Sequence, residues 1–176
     1  YVAKGGKLTI NGGTFQGNSS DGFGGAIYVE EGGTLNIRGG KIGYEQSDVT
    51  KNANIAGQDG GGIYLSSNST ITMSGAPVIA NNISKINYFD NLYLSSLVKI
   101  NIASAMTAGN VGITLANGKG EFTFGESAQA TCFTADNDIS YKVIDANGIC
   151  SIVQNEKSLA LRWSETVERS LNSGVS

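Results

Sequence analysis

The sequence predicts an all-β protein: a right-handed parallel β-helix, or solenoid, of about five coils that ends in a cap of strands and a short helix. Two observations lead to this fold. A phrase of two short strands joined by a small polar turn recurs along the chain, most completely at residues 24–37 and 60–73. The composition, with 25 Gly and one Pro among many Asn, Ser and Thr, is typical of turn-rich β-structure.

The first strand of each repeat carries an aromatic marker. Four units have a tyrosine at this position, and the fifth has Thr114. The tyrosines are Tyr1, Tyr28, Tyr64 and Tyr93, and successive markers lie 21 to 36 residues apart. The length varies between the second strand and the next glycine-rich turn, which indicates a coil with one protruding loop. Units this short leave no room for the crossover helix of a βαβ unit.

Side chains alternate within the strands, which predicts one buried face and one exposed face. Apolar residues flank each tyrosine, as Ile63 and Leu65 flank Tyr64. In the second strands the expected inward pairs are Leu8/Ile10, Leu35/Ile37, Ile71/Met73, Ile100/Ile102 and Phe122/Phe124. The residues between them are expected to form an outward polar column: Thr9, Asn36, Thr72, Asn101 and Thr123.

A third short strand is predicted in each coil, near residues 14–15, 41–42, 78–79 and 106–107. A meander of hairpins is the alternative. The Asn-Gly turns that typify hairpins are mostly missing where that meander would need them. Equivalent residues instead fall into columns, as they do when coils stack in register.

Regular coils are expected over residues 1–125, and an irregular last coil with the C-terminal cap over 126–176. Strands are predicted at 140–144 and 150–153, joined by a turn containing Asn147-Gly148. A strand at 158–163 and a short helix at 164–171 would follow. Tyr1 aligns with the middle of a repeat strand, so we expect this chain to be a fragment of a longer protein. The fragment itself is expected to be a monomer.

Charge and composition narrow the classes of function. The 12 basic and 15 acidic residues are scattered singly, so no patch for binding nucleic acid is expected. The chain has no His, the commonest general base and metal ligand, and we expect neither a cofactor nor a metal. No apolar run is long enough to cross a bilayer. Cys132 and Cys150 are expected either to form a disulfide in an exported protein or to be buried thiols.

Some phrases resemble a known family. Phe15-Gln16-Gly17-Asn18 followed by Gly24-Gly25-Ala26-Ile27 resembles the FxxN and GGA(I/L/V) motifs of the chlamydial polymorphic membrane proteins. Val78-Ile79-Ala80-Asn81 departs from FxxN at its first residue. The wider phrases look like the β-helix repeats of surface proteins from spirochaetes and gut Bacteroidetes. The resemblance covers about residues 1–115. It implies an exported bacterial protein, an adhesin or autotransporter passenger, on the outer-membrane surface or outside the cell.

The tyrosine column is the strongest candidate binding site. Tyr28, Tyr64 and Tyr93 are expected to project outward from one face, where rings could stack on the sugars of a host or bacterial surface glycan. A surface protein is the other partner considered. The alternative interpretation is cross-strand aromatic stabilisation of an exposed sheet.

Three aspartates, Asp21, Asp59 and Asp90, each precede the first strand of a coil. Their varied distances to the tyrosines favour a role in turns, where Asp bonds to its own backbone. The alternatives are Ca²⁺ ligands or catalytic carboxylates. We therefore expect a non-enzymatic surface module, adhesin-like or a stalk. A carbohydrate-active β-helix enzyme, a polysaccharide lyase or glycoside hydrolase, is the alternative.

Overall fold

A computed structural model describes residues 1–44, 52–85, 89–117, 120–136, 141–144 and 150–153, the last two ranges by their backbone alone. The strands stack in parallel, one coil on the next, and form the parallel β-helix that the sequence predicts. Within the described part of the chain, no helix has the length and apolar character needed to span a bilayer.

The second strands of the repeats form a five-stranded parallel sheet. Its strands, in spatial order, are β1 (Lys7–Ile10), β5 (Thr34–Ile37), β9 (Thr70–Met73), β13 (Ile100–Ile102) and β16 (Thr123–Gly125). Leu8, Leu35, Ile71 and Ile100 lie opposite one another along this sheet. The five rungs confirm the predicted number of coils.

The first and third strands of the repeats share an eight-stranded sheet. The third-strand column contains β2 (Thr14–Phe15), β6 (Lys41–Gly43) and β10 (Val78–Ala80). The first-strand column contains β4 (Ile27–Val29), β8 (Ile63–Leu65) and β12 (Leu92–Leu94). The strand β14 (Asn110–Leu115) joins the two columns, and β17 (Phe133–Ala135) pairs with it.

Two smaller sheets complete the structure. One is a corner ladder of β3 (Ser19–Ser20), β7 (Ile55–Ala56) and β11 (Ile83–Ser84). The other contains β15 (Gly120–Glu121), β18 (Tyr141–Ile144) and β19 (Cys150–Val153), the last two antiparallel. This pairing agrees with the strands predicted at 140–144 and 150–153. The strand and helix predicted within 158–171 lie outside the described residues.

Inward side chains form one continuous core along the axis. The fully buried members include Leu35, Ile63, Ile71, Leu92 and Ile100. Each such side chain contributes roughly 1.5 to 3 kcal/mol by leaving water. Glycine allows the coils to approach closely at the corners. A Cβ at Gly61 would overlap the backbone of Ile83 in the next coil.

The fourth coil differs from the prediction. The start of β14 pairs with β10, where Asn110 and Val111 lie opposite Val78 and Ile79. Its end pairs with β12. The third strand predicted at 106–107 is therefore wrong, and it lies at 110–111. The error has a simple cause: seven residues separate β13 from β14, whereas three or four separate the second and third strands of the earlier coils. This coil also has no loop between its third and first strands, so the continuous strand β14 serves both.

The fifth rung also departs from the predicted alternation. Thr123 lies opposite Ile100 and is buried, whereas Phe124 lies opposite Asn101 and is half exposed. The prediction that Thr123 faces outward and Phe124 inward was wrong by one residue. Phe122, between β15 and β16, is also buried, so two consecutive residues point into the core and shift the register.

Candidate functional site

The predicted tyrosine column is present as an ordered stack of rings. Strand pairing sets Tyr28, Tyr64 and Tyr93 side by side, with Thr114 in the fifth place. Ring centroids lie 5.6 Å apart from Tyr1 to Tyr28, 5.6 Å from Tyr28 to Tyr64 and 5.1 Å from Tyr64 to Tyr93, with interplanar angles of 9° or less. The side chains of Tyr28, Tyr64 and Tyr93 are partly buried, whereas that of Tyr1 is exposed.

The tyrosine hydroxyls also follow the repeat. Ser66 donates to the Tyr28 hydroxyl over 3.1 Å, and Ser95 donates to the Tyr64 hydroxyl over 3.3 Å. Each serine lies two residues after the tyrosine of the following coil. Ala116 takes the corresponding position after Thr114, so the pattern ends where the aromatic column ends.

This stacking limits how the tyrosines could bind a sugar. The two faces of Tyr28 and of Tyr64 each lie against a neighbouring ring, and Phe23 packs on Tyr64 with centroids 4.4 Å apart. A sugar that stacks on an aromatic residue needs a free ring face. The middle of the column therefore offers ring edges and hydroxyls. Sugar binding by Tyr28, Tyr64 and Tyr93 stays a prediction.

The aspartates lie at the glycine-rich turns beside this column. The Asp59 carbonyl accepts from the Gly24 amide, and the Asp90 carboxylate accepts from the Gly60 amide over 2.8 Å. These bonds link neighbouring coils and are not the bonds of an Asp side chain to its own backbone, so the predicted turn role stays a prediction. Burial raises the pKa of Tyr93 to about 12, and the negative charges of Asp59 and Asp90 add to the effect.

Asp90 is fully buried, which matters for the enzyme alternative. Burial raises the pKa of its carboxyl group, and the Gly60 amide offsets part of the rise. The side chains of Thr114 and Ser84 also lower that pKa. A carboxylate with no exposed surface cannot touch a polysaccharide. In the part of the chain that is described, no three acidic or cysteine side chains cluster closely enough to hold a metal ion.

A second ladder, made of amides, runs inside the corner of the coils. Asn18 Nδ2 donates to Asn54 Oδ1 over 2.8 Å, and Asn54 Nδ2 donates to Asn82 Oδ1 over 2.7 Å. Asn82 Nδ2 donates to Asn91 Oδ1 over 2.8 Å, and Asn91 Nδ2 donates to Asp136 Oδ1 over 2.9 Å. Asn54 and Asn82 have no exposed surface. We call these five residues the amide ladder.

The ladder corrects the alignment of Asn81 with Asn18 that was made from the sequence. The residue that corresponds to Asn18 is Asn82, three residues after Ile79, and not Asn81. Asn81 adopts a left-handed conformation with a φ of 56° and donates to the Tyr44 carbonyl instead. Sequence reasoning identified Asn18 but missed the other four rungs. The phrase Phe133-Thr134-Ala135-Asp136, with Asp in place of the motif's Asn, was the available signal for the last one.

Asp136 suits the end of this ladder. Each asparagine of the ladder donates to the next rung, so the last rung only needs to accept from the one before it. Its two carboxylate oxygens accept from the backbone amide and the side chain of Asn91, over 2.8 Å and 2.9 Å. Burial raises the pKa of Asp136 to about 7, against the lowering effect of these two bonds, and the nearby Asp90 charge raises it further.

Cys132 is a buried free thiol whose Sγ lies 3.6 Å from the Met106 carbonyl oxygen, and burial raises its pKa. The free thiol agrees with the buried-thiol alternative at Cys132, and the side chain of Cys150 lies outside what is described.

Comparison with known proteins gave no match: no family model, no curated protein and no solved structure is significantly similar to this chain.

Proposed function

We propose that this chain is a non-enzymatic module of an exported bacterial surface protein, adhesin-like or a stalk, that works outside the cell. The observation that supports this proposal is the pair of side-chain ladders. The tyrosine column and the amide ladder both run along the coil axis and tie successive coils in one register.

The ladders favour a stiff rod. If one coil slid or tilted against the next, the buried amides of Asn54 and Asn82 would lose their partners. An unsatisfied buried polar group costs about 1 to 3 kcal/mol, so such motion is opposed at each rung. Five coils at about 4.8 Å each would make a rod roughly 24 Å long. Resistance to sliding is the property that a stalk or an adhesin shaft requires.

Recognition in such a module would belong to the loops. The ring faces in the middle of the tyrosine column are occupied by neighbouring rings. The loops between the third and first strands vary in length, and residues 16–19 of the first loop are exposed. Exposed loops on a rigid scaffold are the usual carriers of binding residues.

The test is a screen of the full chain against arrays of glycans and surface proteins. The Tyr28→Ala/Tyr64→Ala variant is compared with a Thr9→Ala/Thr72→Ala control on the polar face. Binding that survives in both variants would assign recognition to the loops, and loss in the tyrosine variant alone would assign it to the column. Absence of any binding would leave the stalk role.

The folding of the tyrosine variant must be checked first. Tyr64 stacks on two rings and contacts Phe23, so we expect its truncation to cost about 1.5 to 3 kcal/mol and not to unfold the chain. A separate assay measures new reducing or unsaturated ends in a panel of polysaccharides. Turnover in that assay would refute the non-enzymatic proposal.

A further inference from the structure

An exposed apolar patch lies on the side of the last two coils. Leu97 is 93% exposed and Phe124 is 50% exposed. Besides Tyr1 at the opposite end, they are the exposed large apolar side chains of the described residues. Together with Val98 they line a shallow pocket of about 290 Å³, whose rim is formed by Asn68, Ser69, Thr70 and Lys99. We call Leu97, Val98 and Phe124 the lateral patch.

Leu97 differs from the residues at the same turn position in the earlier coils, and its backbone conformation is strained for a leucine. The same turn position is left-handed in the earlier coils, where Gly5, Gly32 and Asn68 have φ of 74°, 75° and 59°. Leu97 adopts a φ of 69°. Glycine and Asn accept this conformation readily, whereas a leucine does so only with strain. A strained and almost fully exposed leucine gains nothing inside the described structure, which indicates a contact beyond it.

Phe124 departs from the repeat independently. The outward positions of the same column carry Thr9, Asn36, Thr72 and Asn101 in the earlier coils. The extra inward residue at Phe122 turns Phe124 into this polar column. Two unrelated changes, one in a turn and one in strand register, thus place apolar side chains in a single pocket.

The end of the described chain lies close to this patch. The strand β18 packs beside β16, which carries Phe124, and β19 pairs with β18 and ends at Val153. Residues 154–176 continue from there. Six residues from Val153 to Leu159 can extend about 20 Å, and neighbouring strands lie only about 5 Å apart. The segment that follows is therefore within reach of the patch.

The composition of that segment fits an apolar patch. Ser158-Leu159-Ala160-Leu161-Arg162-Trp163 alternates, so an extended chain would carry Leu159, Leu161 and Trp163 on one face. We propose that the lateral patch is the docking surface for this apolar face of residues 158–163. The strain at Leu97 would then be offset by burial against the docked segment.

Trp163 is the only tryptophan of the chain, which gives a direct test. The test variant is Leu97→Asn/Phe124→Ser in the full chain. Asn already occupies the turn position of Leu97 in the preceding coil, and Ser suits the polar column, so the coils are expected to fold. The control Asn36→Ser changes the same column three rungs before Phe124 and leaves the patch intact.

In the wild type and the control we expect a blue-shifted Trp163 emission and slow trypsin cleavage after Arg162. In the test variant the emission should move to that of solvent-exposed tryptophan, and cleavage should become about tenfold faster or more. Identical emission and cleavage in all three proteins would overturn the proposal. So would a wild-type dimer that dissociates in the test variant without a change at Trp163, because a second copy would then be the occupant.

Discussion

Replacing Asp136 with Asn should flatten the dependence of stability on pH. Asp136 has a pKa of about 7 in the folded protein, against an ordinary value of 3.8. Because the folded-state pKa is the higher one, the native state holds the proton more tightly than the unfolded chain. This contribution to stability is complete below about pH 4 and is lost as the pH rises through 7.

The expected size follows from the two pKa values. Between pH 5 and pH 8 the free energy of unfolding should fall by about 2.6 kcal/mol if the shift is fully expressed. Asp136 retains some exposed surface, so we expect about 1 to 2.5 kcal/mol. Burial of Asp90 raises its pKa as well and acts in the same direction. The chain has no histidine, which would otherwise titrate in this range.

The assay is urea unfolding at several values between pH 5 and pH 8, followed by circular dichroism. The wild type should lose stability towards pH 8, and Asp136→Asn should show a clearly smaller slope. Asp21→Asn is the matched control and should keep the wild-type slope. A slope in Asp136→Asn equal to that of the wild type would show that the last rung of the amide ladder does not carry this proton.

Three further substitutions, two of them with a matched control, test the positions of residues in the coils. Asn82→Ala should cost about 3 kcal/mol or more in urea unfolding, because it strips partners from a buried ladder, while Asn81→Gly should change stability by less than about 1 kcal/mol. Equal effects would contradict the assignment of Asn82 to the ladder. Gly61→Ala should lower the melting temperature sharply, whereas Gly12→Ala, which has open space around it, should leave it nearly unchanged. Ile71→Asp should abolish cooperative unfolding because it buries a charge in the core, and native-like melting would refute its inward position.

The regular part of the fold could be predicted because it is set by patterns among residues that are close in sequence. Alternation in strands such as 63–65 and 70–73 sets which side chains face the core, and it needs only the neighbouring residues. The recurrence of Tyr28 and Tyr64 predicted the tyrosine column, and the pairing of β4 with β8 confirms it. Prediction failed at 106–107 and at Thr123, where extra residues before the third strand or an extra inward residue changed the spacing.

The amide ladder could not be derived in the same way. Its rungs Asn54, Asn82 and Asn91 lie at irregular separations, because loops of different lengths precede each one. Asn91 even approaches from the turn before a first strand, not from the motif position. Only the stacking of coils brings these side chains within 3 Å of one another.

By itself the sequence determined a parallel solenoid of about five coils, its inward columns and its tyrosine face, because repeated short-range patterns specify strands and their sides. The tertiary structure alone decided which rings cover each other, that Asp90 is buried, and that an aspartate ends the amide ladder. These properties depend on contacts between residues more than 25 positions apart, where the length of an intervening loop sets the register and no local pattern records it.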